Sequence, residues 1–175
     1  MDLEKILPKN GPPINEVSKY IEKYKNDLIV IKYGGNVFID KNIFDNFIKD
    51  ISILHKLGLS IAVVHGGGPR IKSELDKSNI QSKFIRGLRV TDERVINIVE
   101  TVLINFNNDI VASLEKNGSK AISINTKKNN IIEVIPEVKE LGFVGTPNKI
   151  NNDIIINIIN QKKNSNYFPF RFGRE

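Results

Sequence analysis

An unbroken apolar run that ends in three glycines most constrains how this chain can fold. Residues 59–65 read LSIAVVH and are followed at once by Gly66, Gly67, Gly68 and Pro69. A continuous β-branched run of this length is typical of a strand that is buried on both faces of a parallel sheet. Proline suits the first turn of a helix, so the glycines join a buried strand to a helix. The chain therefore predicts the strand–turn–helix units from which α/β folds are built.

A second unit of the same kind precedes the first. Residues 28–32 form a short apolar strand that runs through Lys32 and Tyr33 into Gly34 and Gly35. The apolar spacing predicts helices over 14–25, over 41–57, from about Pro69, from about 93 to Asn117-Gly118 and over 153–159. Residues 84–93 are expected to form an extended or hairpin segment that leads to the helix at about 93, with Thr91 or Asp92 as the N-cap of that helix. The remaining predictions are a strand at 120–125 (KAISIN), two antiparallel strands within 131–150 and an extended lead-in over 1–13.

Composition excludes several classes of function. The 175 residues contain no cysteine, which rules out disulfides, thiolate catalysis and cysteine-ligated metal and fits a reducing cytoplasm. No apolar run reaches the length of a membrane span, and the first residues do not read as a secretory or transit peptide. The net charge of +6 is scattered rather than clustered, which favours an anionic small molecule over nucleic acid. No histidine or carboxylate cluster has ligand spacing, so any metal is expected to arrive with a nucleotide.

Both glycine clusters predict an anion held by main-chain donors. Each is expected just after a strand and just before a helix, where unpaired N–H groups and the helix dipole favour negative charge. Glycine removes the Cβ that would hold a phosphate or carboxylate away from those groups. The spacing matches neither a Walker loop nor a dinucleotide fingerprint. The alternative for each cluster is a close strand–helix packing turn without a ligand.

Lys32 is the candidate cation of the site. A lysine at the end of a strand, beside a glycine turn, suits charge stabilisation during phosphoryl transfer, and the alternative is a side chain that reaches solvent. His65 is expected to be a strand-end histidine rather than a base, because a carboxylate nucleophile needs no deprotonation at pH 7. His55 is expected to be exposed on the polar side of its helix.

Four segments together resemble a known enzyme family. IVIKYGGN, VVHGGGP, GLRVTDE at residues 87–93 and LGFVGTP at residues 141–147 are similar in type and order to motifs of the N-acetyl-L-glutamate kinase family, within the amino-acid kinase superfamily. The resemblance runs from about Ile14 to about Ile159. It implies the amino-terminal lobe of the amino-acid kinase fold, an α/β fold with a mainly parallel sheet sandwiched by helices.

The resemblance also implies an activity and site residues. The family transfers the γ-phosphoryl group of ATP, with Mg²⁺, to the side-chain carboxylate of N-acetyl-L-glutamate in arginine biosynthesis, and this half carries no bound cofactor of its own. By resemblance, Lys32 is catalytic and stabilises the transferring phosphoryl group, Arg89 grips the substrate α-carboxylate, Gly67 and Gly68 bind the substrate, and Gly34, Gly35 and Gly66 face the phosphates.

Three segments follow from the same comparison. Residues 1–27 are expected to be an extension whose helix 14–25 forms dimers or a hexamer, with arginine as a candidate inhibitor, or else packs on its own domain. Residues 28–160 form the substrate lobe, and 161–175 read as a divergent tail that replaces the ATP-binding half. The chain is therefore expected to be nearly inactive alone.

Alternatives are a catalytically dead binding or oligomerising module and a related kinase that acts on another carboxylate. The compartment is expected to be the cytoplasm or an organelle that encodes its own copy.

Overall fold

The computed structural model describes residues 2–34, 40–163 and 170–173. Its helices are α1 (Leu3–Ile6), α2 (Ile14–Tyr24), α3 (Lys41–Lys56), α4 (Gly68–Lys77), α5 (Glu93–Lys116), α6 (Thr126–Asn129) and α7 (Asn152–Lys163), and its strands are β1 (Leu28–Tyr33), β2 (Ser60–His65), β3 (Phe84–Ile85), β4 (Leu88–Arg89), β5 (Ile132–Pro136), β6 (Gly145–Ile150) and β7 (Phe170–Gly173). Strands alternate with helices along the chain, as the sequence predicts.

The central sheet is parallel and has the strand order β1-β2-β7. Strands β1 and β2 pair from Leu28 with Ser60 to Tyr33 with His65, so both strands end at the same edge. Strand β7 pairs with the other side of β2, from Ala62 to His65. This edge carries the glycine turns, because each turn follows the last residue of its strand.

The middle strand is buried on both faces, as its apolar run predicts. Ile61, Ala62 and Val63 are fully buried. On one face Ile61 and Val63 belong to a core built with side chains of α3 and α5, such as Ile48, Ile51, Phe106, Ile110 and Leu114. On the other face Ala62 packs with Ile124 and Ile131, and with partly buried isoleucines of α7. Helices and irregular chain therefore sandwich the sheet, and the predicted α/β fold class is confirmed.

Two antiparallel hairpins flank the long helix α5. In the first, Phe84 pairs with Arg89 and Ile85 with Leu88, which confirms the hairpin expected at this motif. Asp92 caps α5, with its carboxylate accepting a hydrogen bond of 2.9 Å from the Val95 N–H. The second hairpin joins β5 and β6.

Two predicted segments differ from the structure. The lead-in 1–13 contains the short helix α1. The predicted strand 120–125 has no ladder partner in the described residues. Instead, the buried Asn107 of α5 donates to Ser123 Oγ at 2.7 Å and to the Ile124 carbonyl at 3.3 Å. A side chain thus satisfies a carbonyl that a strand would use, and Asn125 then caps α6.

The N-terminal helix α2 uses its apolar face in two ways. Val17 is buried, while Ile14 and Tyr20 are 41% and 59% exposed. Between α2, α3 and the segment that follows α1 lies an apolar cavity of about 330 Å³, whose lining includes Val17, Ile21 and Leu57. One part of this face packs on its own domain and another part remains open to solvent.

Candidate active site

The two glycine turns adjoin at the carboxyl edge of the parallel sheet. Tyr33 lies opposite His65 at the ends of β1 and β2, and the Gly66 N–H donates to the Tyr33 carbonyl at 3.3 Å. The sequence predicted the two turns separately, and the register of the sheet brings them together. Gly35 lies outside the described residues.

Gly66 and Gly68 border open space. Apart from the glycine itself, its chain neighbours and the adjacent helix backbone, no atom of the described residues lies within 4 Å of the position that a Cβ would take at either glycine, and neither glycine has a positive φ. Neither packing nor backbone conformation therefore requires glycine at these two positions. A ligand that approaches the backbone closely would require it.

Gly67 is different, because the fold itself requires it. A Cβ at this position would lie 2.7 Å from Leu103 Cδ2 and 3.3 Å from Ile71 Cδ1. Gly67 is also the N-cap of α4 and has no side chain to offer the first-turn N–H groups. These donors therefore stand at the positive end of the helix dipole with no capping side chain from their N-cap residue.

Helix α3, which follows the first glycine turn along the chain, is capped by a carboxylate. Helix α3 starts at Lys41, and the carboxylate of its N-cap, Asp40, accepts hydrogen bonds from the Asn42 and Ile43 N–H groups at 2.7 and 3.3 Å. The prediction that a helix follows each glycine cluster is confirmed for Gly66–Gly68, where α4 starts at Gly68. For the cluster at Gly34 the helix starts at Lys41, as predicted, and residues 35–39 lie outside the described residues. The helix after β1 supplies its own anion.

Lys32 is exposed and lies beside Gly34. Its Cε is 3.8 Å from the position that a Cβ on Gly34 would take. The next residue, Tyr33, points the other way into the core and stacks on Phe47 with ring centroids 3.8 Å apart. Within the part of the chain that the structure describes, Lys32 forms no ion pair, so its ammonium remains available to an anion at this edge.

Arg89 is held by its own hairpin. Its guanidinium donates to Ser82 Oγ and lies 4.8 Å from the centroid of the Phe84 ring. Burial lowers the pKa of Arg89, yet an arginine stays charged throughout the physiological range. The structure therefore presents a pre-oriented guanidinium on β4, hydrogen-bonded to Ser82 rather than to the glycine turns.

Arg70 is a residue that the sequence reasoning missed. It lies in the first turn of α4, directly after the glycines and Pro69. Its Nη1 is 2.6 Å from Asp109 Oδ2, and its guanidinium carbon is 4.1 Å from the centroid of the Phe106 ring. Burial raises the pKa of Tyr33, and the nearby charge of Arg70 opposes that shift. Arg70 thus joins the start of α4 to α5 beside the candidate site.

Of the two histidines, His65 is buried and His55 is half-buried. His65 is 1% exposed, has Nδ1 3.1 Å from the Gly66 carbonyl oxygen, and meets the Phe106 ring edge-on at 4.8 Å. This geometry fits the expected strand-end histidine. His55, expected to be exposed, is half-buried, and burial lowers its pKa, with smaller contributions from Lys56 and Lys120.

The described ranges contain neither a membrane-spanning helix nor a cluster of metal ligands. No helix in them has the length and apolar character needed to cross a membrane. Nor do they bring together three histidine, aspartate or glutamate side chains that could hold a metal ion.

Comparison with known proteins identifies the family. The model of the amino acid kinase family matches residues 27–169. This chain belongs to the amino acid kinase family. Its matched segment includes strands β1 and β2, both glycine turns, Lys32 and Arg89. The family resemblance drawn from the motifs is thereby confirmed.

Similar proteins within this family are named as acetylglutamate kinases. The chain is 52% identical over 162 residues to acetylglutamate kinase from Pelagibacter ubique HTCC1062, covering 93% of this chain and 56% of that protein. It is 42% identical over 138 residues to the Campylobacter curvus 525.92 enzyme, covering 78% of this chain and 49% of that protein. The chain thus spans about half the length of the curated relatives it matches.

Solved structures support the amino acid kinase fold. Protein smu.665 from Streptococcus mutans UA159 superposes with a TM-score of 0.66 at 24% identity, covering 83% of this chain and 59% of that one. N-acetylglutamate synthase from Neisseria gonorrhoeae, complexed with coenzyme A and N-acetyl-glutamate, superposes with a TM-score of 0.69 at 16% identity, covering 91% and 36%. At such identities the likeness concerns the fold alone.

Proposed function

We propose that this chain supplies the substrate-binding lobe of an acetylglutamate kinase, which phosphorylates the side-chain carboxylate of N-acetyl-L-glutamate with MgATP. One observation carries the proposal: Lys32 and the open turn Gly66–Gly68 stand on neighbouring strands at one edge of the sheet. The identity of the substrate comes from the names of the relatives and from the motifs, because the geometry alone specifies an anion.

The proposed reaction does not require the protein to remove a proton from the attacking group. A substrate carboxylate oxygen attacks the γ-phosphorus, and the bond from that phosphorus to the bridging oxygen of ADP breaks. The attacking carboxylate is already ionised at pH 7. Catalysis then depends on positioning and on compensating charge at the phosphoryl oxygens. The Lys32 ammonium, exposed beside Gly34, is the candidate for that charge compensation.

In this proposal the glycines form two groups with different roles. Gly34, Gly35 and Gly66 let the phosphates approach the backbone, while Gly67 and Gly68 bind N-acetylglutamate. Because the Gly66 N–H donates to Tyr33, Gly66 contributes by lacking a side chain rather than by donating a hydrogen bond. The first-turn donors of α4 are better placed to receive an anion, since the N-cap Gly67 leaves them without a side-chain acceptor.

Arg89 is proposed to bind the α-carboxylate of the substrate. A guanidinium fork matches a carboxylate in geometry and charge. The hairpin already restricts the side chain through Ser82 and Phe84, so less conformational freedom is lost on binding.

We propose that these 175 residues on their own phosphorylate the substrate slowly. The relatives are nearly twice as long as the segment that they share with this chain, and MgATP is expected to be held partly by the rest of their length. Losing one positioned electrostatic donor costs about a hundred- to a thousandfold in rate. Substrate binding, rather than turnover, is therefore the activity to measure first.

The test is calorimetric titration of the purified chain with N-acetyl-L-glutamate. Wild type should bind saturably, and Arg89→Ala should lose at least about tenfold in affinity, since an unpaired carboxylate loses a charge-assisted pair. Arg86→Ala is the matched control, because it removes the same charge from the same hairpin and should bind as wild type does. Absence of binding by folded wild type, or equal losses in both variants, would contradict the proposal.

An oligomerising role is a second candidate, which the exposed part of α2 favours. Ile14 and Tyr20 leave apolar surface open on a helix that precedes the first strand. We propose that this surface joins copies of the chain, with arginine as a candidate effector. Sedimentation of wild type and of Tyr20→Glu should show association that the variant loses, whereas a monomeric wild type would remove this role.

A further inference from the structure

A backbone clasp joins the two most distinctive motifs of the chain. The Thr91 N–H donates to the Leu141 carbonyl at 2.8 Å, and the Phe143 N–H donates to the Thr91 carbonyl at 2.7 Å. Thr91 and Gly142 thereby form an isolated parallel bridge. The loop that connects the two strands of the second hairpin is thus hydrogen-bonded to Thr91, which follows the first hairpin.

The clasp depends on glycine at position 142. Gly142 has φ +70° and ψ −127°, a conformation that side chains disfavour strongly. A Cβ there would also collide with the Thr91 carbonyl oxygen and lie 2.9 Å from its carbon. Two independent restrictions, conformational and steric, therefore fall on the same residue. Backbone atoms cannot move aside as a flexible side chain can.

Thr91 connects the clasp to Arg89. Thr91 is only 6% exposed, and its hydroxyl donates to the Arg89 carbonyl at 2.9 Å. The next residue, Asp92, caps α5 and so anchors the chain on the other side. Between these anchors, the Thr91 hydroxyl holds the carbonyl of Arg89, and with it the backbone from which the Arg89 side chain extends.

We propose that Gly142 is a positioning residue for Arg89: the clasp at 141–143 fixes Thr91, which fixes the backbone that carries the guanidinium. The role in ligand binding rests on the proposed function, since it takes Arg89 to bind the substrate α-carboxylate. The clasp itself does not rest on it. If the glycine were purely structural, its replacement would lower stability. It would not change the preference of the site for an α-carboxylate over an α-carboxamide.

The experiment compares Gly142→Ala with Gly145→Ala. The control adds a methyl group to the same hairpin, where it would meet the side chain of Val134 at 2.8 Å instead of Thr91. Affinities for N-acetylglutamate and for its α-carboxamide analogue are measured by calorimetry, well below each variant's unfolding temperature. The ratio of the two affinities reports the Arg89 contact separately from overall stability.

Gly142→Ala should weaken N-acetylglutamate binding by about tenfold to a hundredfold and bring the two affinities close together, because small misplacements of a binding group are costly. Gly145→Ala should keep the wild-type ratio. An unchanged ratio in Gly142→Ala would overturn the proposal. If Gly142→Ala does not fold, Thr91→Val, which removes only the hydroxyl link, must reduce the ratio while Thr91→Ser retains it; equal ratios in these two variants would overturn the proposal as well.

A second readout does not need the substrate. The Arg89 Nε–H resonance is followed by NMR in the free proteins, where the guanidinium contacts Ser82 and Phe84. The resonance should shift in Gly142→Ala and not in Gly145→Ala. If wild type fails to bind N-acetylglutamate, the proposed function fails, and this shift alone decides whether the clasp positions Arg89.

Discussion

Two helices follow neighbouring parallel strands, and they begin in opposite ways. Helix α3 is capped by the carboxylate of Asp40, which accepts hydrogen bonds from Asn42 and Ile43. Helix α4 is capped by Gly67, which has no side chain to accept any. One helix carries a capping carboxylate at its positive end, whereas the N-cap of the other has no side chain that could serve as one.

This difference separates glycine as a structural device from glycine as part of a site. Gly67 is required by the packing of Leu103, and a ligand is not needed to explain it. Gly66 and Gly68 are required by neither packing nor φ, and they flank the open helix end. Glycine content alone therefore does not distinguish the two kinds of glycine, whereas the space around each glycine and its φ do.

The largest predicted effect comes from closing the open helix. Gly68→Asp places a carboxylate in the first turn of α4, where the anionic substrate is proposed to bind. N-acetylglutamate affinity should fall by about a hundredfold or more, the scale of losing a positioned donor. Stability should not fall, and an added carboxylate at a helix start stabilises by about 0.3–1 kcal/mol. Calorimetry and urea unfolding measure the two effects.

Asn42→Asp is the matched control for that substitution. It adds the same charge to the first turn of α3, which Asp40 already closes. Binding should remain within about twofold of wild type, since surface changes away from a site have small effects. Equal losses of affinity in both variants would mean that the two helix ends do not differ as proposed.

The next effect is on stability and comes from opening the closed helix. Asp40→Ala leaves two first-turn N–H groups of α3 without their acceptor, which costs about 1 kcal/mol. Asp50→Ala, at an exposed position further along the same helix, should change stability by less than about 0.5 kcal/mol. Urea midpoints measure both, and Asp40→Asn should restore most of the loss. Asp40→Ala should not weaken substrate binding tenfold; if it did, α3 would also serve the ligand.

Local signals were sufficient for most of the fold. The unbroken apolar run predicted the buried middle strand, where Ile61, Ala62 and Val63 are fully buried. Asp92 was predicted as one of two caps, because the following apolar period begins there, and it caps α5. Such predictions succeed because the pattern of a segment and its hydrogen bonds involve nearby residues.

The features that the sequence did not predict depend on contacts between distant segments. The strand expected at 120–125 has no ladder partner in the described residues, and the side chain of Asn107 on α5 donates to the Ile124 carbonyl. Arg70 was overlooked, since its significance comes from Phe106 and Asp109 on another helix. The need for glycine at 142 likewise depends on Thr91. None of these pairs has a spacing that sequence periodicity can report.

A smaller effect is expected where Arg70 fastens the open helix to α5. The exposures of Arg70 and Asp109 are 38% and 54%, so solvent screening limits the ion pair to about 0–1 kcal/mol. Stacking on Phe106 adds about 0.5–1 kcal/mol. Arg70→Lys should keep the charge and lose the stacking, with affinity falling by about two- to fivefold as the turn loosens.

A double-mutant cycle with Asp109→Asn separates the two contributions of Arg70, because contacting residues couple. Lys72→Ala, which breaks the exposed pair with Asp76 on the same helix, is the control and should leave affinity unchanged. Loss of stability without any loss of affinity in Arg70→Lys would limit the contact to folding.

The smallest effect concerns pH and lies at the other end of the closed helix. A charged histidine at a helix C-terminus is usually favoured by the dipole. For His55, burial comes first among the causes that lower its pKa, and Lys56 and Lys120 act in the same direction. The folded state therefore binds this proton less readily than the unfolded state does. The stability contribution of neutral His55 is fully present above the unfolded pKa of about 6.5 and is lost as pH falls toward the lower folded value. His55→Gln should flatten the dependence of the urea midpoint on pH between 7.5 and 5. An unchanged slope would show that His55 becomes protonated as easily in the fold as outside it.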